Sequence, residues 1–180
     1  MLYSSPERYD SIQSVWTWLH QQQHPHPFTT PTLITQPAHA RTVILRDSIP
    51  YTWFFFTDKR SAKCTEIRDN PQGMIHAYCS VEKVQFRMKT TLSLLTEHPK
   101  FDVWKEKGLQ RFSDYGTKDA PGTLVDQLPN LLPTREEAEK NFCVIAAHIT
   151  HIEILELHRT QHMRMQWTEE KNWERQYLIP

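Results

Sequence analysis

The stretch WFFFTDKRSAK, residues 53–63, places a run of aromatic residues directly before a cluster of hydroxyl and cationic side chains. Aromatic runs of this kind favour a buried β-strand. We expect the strand to end at Thr57, and Ser61 stands where a helix over residues 61–69 would take its N-cap. The start of a helix favours an anion, because its first backbone N–H groups lack intrahelical partners. The sequence therefore predicts an anion site between strand and helix.

Two cations are candidates for this anion site. Lys63 lies just inside the predicted helix and can reach back to its start. Arg41 is the second residue of the segment ARTVILR at residues 40–46, which we expect to pair as a hairpin with YTWFFFT at residues 51–57. Arginine supplies a bidentate fork and lysine a point charge, so the two together suit a phosphate group. The alternative is an ordinary solvated turn after a buried strand, and the pattern leaves both readings open.

The rest of the chain predicts a mainly β protein with α additions. Apolar residues recur at helical spacing over residues 6–22, where Ser5 would cap the helix and Pro6 would occupy its first turn. A proline-broken segment from residue 115 to 133 predicts a long loop. These elements indicate one domain over residues 1–180, built as a small antiparallel barrel. Further strands are expected at residues 32–36, 73–79, 84–95 and from 142 onward, and further helices at 99–107 and 134–141.

Composition excludes several classes of partner. The chain has 180 residues, with 21 Lys plus Arg against 21 Asp plus Glu, so no overall charge would draw it to nucleic acid or to an anionic membrane. Its apolar runs are shorter than the roughly 20 residues that cross a bilayer. Only 4 glycines occur, and no glycine-rich phosphate loop is present. We therefore expect a soluble, cytoplasmic protein that binds neither nucleic acid nor membrane.

Cysteine and histidine spacing predicts no metal site. Cys64, Cys79 and Cys143 are far apart in the sequence and include no CxxC pair, which is typical of reduced, buried thiols. Among the 10 histidines, His148 and His151 would face opposite sides of a strand, and no carboxylate or cysteine completes a usual ligand set around them. We expect these residues to have structural roles.

Three blocks of the sequence, ARTVILR, FFFTDKRSAK followed by NP, and VQFRMKTT, resemble in order and spacing the pyridoxamine 5'-phosphate oxidase family of FMN-binding split β-barrels. The C-terminal IEILELHRTQHMRMQW and the final YLIP resemble that family's closing segment. The resemblance runs from about residue 32 to the end, apart from residues 96–141. Its TDxRSxK and QFR motifs look closer to a flavoprotein branch than to the housekeeping oxidase. The resemblance implies FMN as cofactor and a homodimer with FMN at the subunit interface.

The resemblance also implies roles for individual residues. The FMN phosphate would be held by four residues, Arg41, Thr57, Ser61 and Lys63. The flavin would lie against the segment Val43, Ile44 and Leu45 and beside Phe56, and would be reached by Gln85 and Arg164. Substrate would meet two further residues, Arg46 and His162.

Two departures from the oxidase concern substrate and phosphate. Arg46 stands where the oxidase has a lysine for substrate phosphate, and Ala62 stands where it has an arginine beside the helix start. The substrate-clamping segment of the oxidase does not map onto this chain either. These differences argue against pyridoxamine 5'-phosphate as the substrate, while the pattern for flavin binding is retained.

Two functions fit this pattern. The first is an FMN-dependent oxidoreductase acting on a small molecule, with no catalytic residue assigned. The second is a flavin-binding carrier or sensor without turnover. A pocket lined by Arg46, His162 or Arg164 would favour the enzyme, whereas a ring capped by Trp104 or Tyr115 would favour the carrier. Partner-chain residues from 104 to 122 would complete each site in a homodimer.

Overall fold

The computed structural model describes residues 7–127 and 130–180. Within these residues, nine strands form one antiparallel sheet. The strands are β1 (Thr32–Thr35), β2 (His39–Thr42), β3 (Leu45–Ile49), β4 (Thr52–Asp58), β5 (Gln72–Cys79), β6 (Val84–Leu95), β7 (Phe142–Glu156), β8 (Met163–Thr168) and β9 (Gln176–Leu178). Seven of them follow the order β2-β1-β5-β6-β7-β4-β3, while β8 pairs with β7 and β9 pairs with β8.

Helices are short in the described part of the chain. The α-helices are α1 (Ile12–His20), α2 (Ala62–Asp69), α3 (Phe101–Leu109) and α4 (Arg135–Asn141). The helix expected over residues 6–22 is shorter, because α1 begins after Ser11, whose hydroxyl accepts a hydrogen bond from the Ser14 backbone N–H. The expected cap at Ser5 and first turn at Pro6 lie outside the described residues. No helix among the described residues is long and apolar enough to cross a membrane.

The sheet curls until its two edges meet. Its edge strands, β2 and β3, are joined by only Val43 and Ile44. A link of this length spans roughly 10 Å at most, so the two edges cannot lie far apart. The predicted fold class, a mainly β split barrel with α additions, is therefore confirmed.

The same link corrects one prediction about Arg41. The segment 40–46 is not one strand paired with β4. Arg41 lies in β2 and pairs with Leu33 of β1, whereas pairing with β4 starts only at Leu45, opposite Phe55. The chain crosses from one edge of the sheet to the other at Val43 and Ile44, which no local sequence pattern marks.

The aromatic run in β4 serves two cores. Trp53 and Phe55 point into the main core inside the barrel and are 2% and 1% exposed. Phe54 points the other way, into a second cluster with Trp104 and Phe142 beneath α3 and α4. Alternation along a strand produces this division, and each buried aromatic side chain stabilises the fold by roughly 1.5–3 kcal/mol. β4 is thus held on both faces and fixes the position of the residues that follow it.

A bulge in β7 corrects the expectation for two histidines. The register between β6 and β7 shifts at Thr150, so that Ile149 and Ile152 both lie in the main core. His148 and His151 therefore lie on the same outer face of the strand. The prediction that they face opposite sides is wrong, because an extra residue in a bulge breaks the two-residue alternation.

Candidate functional site

Three predicted residues meet where β4 ends and α2 begins. The Nζ atom of Lys63 lies 3.1 Å from the Oγ1 atom of Thr57 and 3.1 Å from the Oγ atom of Ser61. The two hydroxyl oxygens are 3.2 Å apart, and the Ser61 hydroxyl also donates to the Asp58 backbone carbonyl at 2.7 Å. Thr57 and Ser61 are both buried. We call Thr57, Ser61 and Lys63 the Lys63 cluster.

The Lys63 ammonium is not in direct contact with a carboxylate among the described residues. Within residues 7–127 and 130–180, Lys63 forms no ion pair and donates to hydroxyl oxygens. Burial lowers the pKa of Lys63, and the charge of nearby Arg41 lowers it further, against the opposing effects of the Cys64 sulfur and of the Asp58 and Glu66 carboxylates. An anion placed here would favour the charged ammonium, because opposite charges stabilise one another. The cluster is chemically suited to a phosphate.

Arg41 contacts α2 from β2, and not from a strand paired with β4 as predicted. Its guanidinium donates to Thr35 Oγ1 at 2.7 Å and to Glu66 Oε2 at 2.9 Å. Burial raises the pKa of Glu66, but hydrogen bonds from Thr35, His39 and Arg41 outweigh it and lower that pKa. Glu66 is therefore a carboxylate that holds Arg41 against the helix carrying Lys63.

Arg41 and Thr57 lie on the same face of the sheet. Arg41 stands directly opposite Leu33, and Thr57 follows Phe55 at an interval of two residues. Both Leu33 and Phe55 belong to the main core. Because paired residues and alternate residues share a face, Arg41 and Thr57 both face the barrel interior, near α2. The structure thus brings the four predicted phosphate ligands to one end of the barrel.

The other cations of residues 53–63, Lys59 and Arg60, have other roles. Lys59 is exposed, and its backbone N–H donates to the Asn141 carbonyl at 2.8 Å. Arg60 forms an ion pair with Asp58 at 2.7 Å and donates to the Thr117 carbonyl at 2.9 Å. Arg60 therefore attaches the long loop to the end of β4, and Lys63 is the cation that contacts the two hydroxyls.

The residues expected to line the flavin lie on both sides of the barrel wall. Val43 and Ile44 form the link between the edge strands, and Val43 and Leu45 pack partly buried against the main core. Phe56 is half-buried on the outer face of β4, with the Arg46 guanidinium 5.8 Å from its ring centre. The structure therefore brings Phe56 and Arg46 together, away from the interior.

Gln85 and Arg164 share one row of the sheet. Gln85 of β6 stands opposite Leu155 of β7, which in turn stands opposite Arg164 of β8. Their chain neighbours Phe86 and Met165 are fully buried in the main core. Gln85 and Arg164 therefore point to the outer face, whereas Arg41 and Thr57 point to the inner one. Within a single chain, the predicted site is divided between two faces.

Sequence reasoning missed Glu153, which organises the outer face. Its carboxylate accepts from Arg87 Nε at 3.1 Å and from Arg164 Nη2 at 3.0 Å. Burial raises the pKa of Glu153, but its hydrogen bonds and charge interactions with Arg164 and Arg87 lower it by more. The alternation of Glu153 with the core residues Ile152 and Ile154 was the available signal, because it marks a carboxylate on the outer face of an apolar strand.

One cavity lies between α1 and β3. It has a volume of about 760 Å³, and its lining includes Arg46, as well as Leu45 from the segment expected to line the flavin. Arg46 forms no ion pair with any described carboxylate, and His20 Nδ1 lies 2.8 Å from Ser48 Oγ at the wall. His162 does not join this cavity. It is exposed in the loop after β7, where its Nδ1 accepts from the His158 backbone N–H at 3.2 Å.

Comparisons with known proteins agree with this architecture. Residues 9–96 match the sequence profile of the family described as pyridoxamine 5'-phosphate oxidase, FMN-binding domain. Among curated proteins, none matches the sequence significantly.

Two solved structures cover nearly the whole chain. A pyridoxamine 5'-phosphate oxidase-related, FMN-binding protein from Nostoc punctiforme PCC 73102 has a TM-score of 0.66 and 20% identity, over 99% of this chain and 100% of that one. PhzG from Burkholderia lata 383, in complex with tetrahydrophenazine-1-carboxylic acid, has a TM-score of 0.73 and 16% identity, over 100% of this chain and 99% of that one. At these identities the similarity concerns the fold. Residues 9–96 are therefore similar to the FMN-binding domain of the pyridoxamine 5'-phosphate oxidase family, as the motifs predicted.

Proposed function

We propose that this chain binds FMN, with the FMN phosphate at the Lys63 cluster. The observation that carries the proposal is the Lys63 ammonium, which lies 3.1 Å from two hydroxyl oxygens and has no carboxylate partner among the described residues. A phosphate would accept from Thr57, from Ser61 and from the first backbone N–H groups of α2. It would also place a negative charge in direct contact with the Lys63 ammonium.

Arg41 would add a second cation to the same phosphate. Its guanidinium is now held by Glu66 at 2.9 Å, and it has five donors, so it can contact a phosphate while keeping one bond to that carboxylate. Ala62 contributes no charge, which leaves Lys63 and Arg41 as the principal cations of the proposed phosphate site.

The division between the two faces supports a homodimer with FMN at its interface. Arg41 and Thr57 face the barrel interior, whereas Gln85 and Arg164 face outward on β6 and β8. We infer that the outer face of one chain meets the Lys63 cluster of its partner. In this arrangement Gln85 and Arg164 would approach the flavin ring from one chain, and Leu45 from the other.

The reaction we propose is an FMN-dependent oxidation or reduction of a small molecule. FMN, when bound, supplies the hydride and electron chemistry, while the protein binds, orients and shields the reactants. Arg46 and His20 line the cavity of about 760 Å³ next to Leu45, and this volume suits a small-molecule ligand. Because Arg46 has no carboxylate partner among the described residues, it would attract an anionic group on that molecule.

The positions of two aromatic residues favour the enzyme over a carrier. Trp104 is 2% exposed and its indole N–H donates to Asp47 Oδ2 at 2.8 Å. Tyr115 is also buried, in the same second cluster. Neither side chain is free to cap a flavin ring, whereas the cavity beside Leu45 is open to a substrate.

The test of FMN binding is the absorption spectrum of the purified chain, followed by titration with FMN. We expect flavin bands after purification or saturable quenching of FMN fluorescence. Absence of both would overturn the proposed function. Reduction of the bound flavin should then be followed with NADH, NADPH, pyridoxamine 5'-phosphate and tetrahydrophenazine-1-carboxylic acid, the last being the compound held in the PhzG structure. Failure of every compound would leave a flavin-binding protein and overturn the proposed oxidoreductase.

A further inference from the structure

Two of the three cysteines lie together behind the Lys63 cluster. Cys143 of β7 stands directly opposite Thr57 of β4, so their side chains share a face. The Thr57 hydroxyl lies 3.2 Å from that of Ser61, whose Oγ atom is 3.6 Å from the Cys64 Sγ atom. Cys64 and Cys143 are 0% and 4% exposed. These contacts place both thiols in one buried group that joins α2 to β7.

The surroundings of Cys64 favour a thiolate. Cys64 is the third residue of α2, next to Lys63, and both the start of a helix and a neighbouring cation stabilise a negative sulfur. The interaction with the Cys143 thiol, the hydrogen bond with Ser61 and the charge of Lys63 together lower the pKa of Cys64 to about 6, against the effect of burial. Interaction with Cys64, together with burial, raises the pKa of Cys143. The position of Cys64 at the start of α2, beside Lys63, therefore favours Cys64 over Cys143 as the nucleophile.

A small oxidant has a route as far as Cys143, the residue beside Cys64 in this buried group. Cys143 lines a cavity of about 510 Å³ that lies against α2, β6 and α3. A hydroperoxide is far smaller than this volume. The cavity wall includes a cationic residue of α2, Arg68, one of α3, Lys105, and the apolar residues Leu92, Leu94 and Phe101.

We propose that Cys64 and Cys143 form a peroxide-reactive dithiol, which a small hydroperoxide converts into a disulfide between α2 and β7. In the first step the Cys64 sulfur attacks the outer oxygen of the hydroperoxide. The S–O bond forms as the O–O bond breaks, and the remaining oxygen takes up the proton that the Cys64 thiol released to solvent on ionising. It leaves as an alcohol, or as water when the oxidant is hydrogen peroxide.

In the second step the Cys143 sulfur attacks the sulfenic sulfur of Cys64. The S–S bond forms, the S–O bond breaks, and the hydroxyl leaves as water with the proton that Cys143 held. The two sulfurs together lose two electrons, and the hydroperoxide gains them. Neither step requires FMN, so this inference goes beyond the proposed function.

Cys79 provides a matched control, because it is also buried but lies in a different environment. It is 3% exposed at the end of β5, and its Sγ atom lies 3.9 Å from His26 Nε2. No second thiol contacts Cys79 in the described part of the chain. We therefore expect no intramolecular disulfide at Cys79.

The experiment treats the folded, purified chain with hydrogen peroxide, alkylates the remaining thiols after unfolding and maps them by peptide mass spectrometry. We expect a Cys64–Cys143 disulfide in the wild-type chain and in Cys79→Ala. In Cys143→Ala, we expect a sulfenic acid at Cys64 that dimedone traps, and in Cys64→Ala a reduced Cys143. Recovery of both thiols in the alkylated form from wild-type chain, or disulfides only between chains, would overturn the proposal. The wild-type result does not depend on any variant folding.

Discussion

Lys63 and Thr57 lie on different elements, yet the Lys63 ammonium donates to the Thr57 hydroxyl at 3.1 Å. Thr57 is fixed at the end of β4, whose aromatic residues pack on both faces of the sheet. Lys63 is fixed by α2, which begins at Ala62, four residues after the end of β4. A hydroxyl can satisfy the ammonium as a hydrogen-bond acceptor without neutralising its charge. The pair therefore holds a cation ready for an anionic ligand.

Replacing Lys63 with alanine should weaken FMN binding by about 1.5–3 kcal/mol, because one charge-assisted contact to the phosphate is lost. This corresponds to a roughly 10- to 150-fold rise in the dissociation constant, measured by quenching of flavin fluorescence. Lys59→Ala is the matched control, since Lys59 is exposed and its side chain is not part of the cluster. Equal dissociation constants for the two variants would remove Lys63 from the site.

Replacing Glu66 with glutamine should have the opposite effect on FMN binding. Glu66 is the carboxylate that now holds Arg41 at 2.9 Å, and it competes with a phosphate for that guanidinium. Removing its charge should tighten FMN binding by about 1 kcal/mol, roughly fivefold. The same titration measures this change, with thermal unfolding as a check on the fold. Weaker binding would instead mean that the Glu66 charge helps to place Arg41 for FMN.

Local patterns in the sequence predicted the elements, but not all of their partners. The aromatic run of β4 and the helix start at Ser61 depend on neighbouring residues, and both predictions are confirmed. Arg41 was assigned to the wrong strand partner, because closure of a barrel joins segments through pairings that no local pattern encodes. The bulge at Thr150 likewise escaped prediction, since it depends on the register between β6 and β7.

The division of the site between two faces could not be seen before the sheet was known. Gln85 and Arg164 were predicted from motifs that lie far apart in the chain, and their common row across β6, β7 and β8 depends on strand order. Glu153 links the row to Arg87 and was missed because both of its arginine partners lie on other strands. Pairing of Glu153 with arginines of neighbouring strands depends on tertiary structure, so no local sequence pattern predicts it.

Replacing Glu153 with glutamine should destabilise the fold in a pH-dependent manner. The hydrogen bonds from Arg164 and Arg87 keep the pKa of Glu153 below its ordinary value, despite burial. The Glu153 charge therefore stabilises the fold fully above the pKa of glutamate in the unfolded chain, roughly 4.3. This stabilisation is lost as pH falls through the lower pKa of Glu153 in the folded chain. We expect the variant to be about 1–3 kcal/mol less stable than wild type at pH 7, and the difference to shrink below about pH 4.

Urea unfolding of both chains across this pH range measures the difference in free energy of unfolding. Glu170→Gln is the control, because Glu170 is exposed and forms no ion pair among the described residues. A difference for Glu153→Gln that stays constant from pH 7 to pH 3 would show that the carboxylate charge is not responsible.

A site shared between two chains can be tested by complementation of two variants. We expect Lys63→Ala and Arg164→Ala each to impair FMN binding in a homodimer. If Lys63 of one chain and Arg164 of the other contribute to the same site, a mixed dimer contains one intact site and one doubly altered site. Random association makes half of the dimers mixed, so co-expression should restore about one quarter of the tight FMN sites.

The matched control for this experiment combines Lys63→Ala with Ser61→Ala. Both residues belong to the Lys63 cluster of one chain, so every site in a mixed dimer keeps one change, and no intact site should appear. When the free FMN concentration is kept well below the dissociation constant of either variant, only the intact sites fill, and the amount of bound FMN counts them directly. Restoration with Arg164→Ala but not with Ser61→Ala is the expected result. Equal counts in the two mixtures would mean that Lys63 and Arg164 of the same chain serve the same site, whereas tight FMN binding by Arg164→Ala alone would mean that Arg164 serves none.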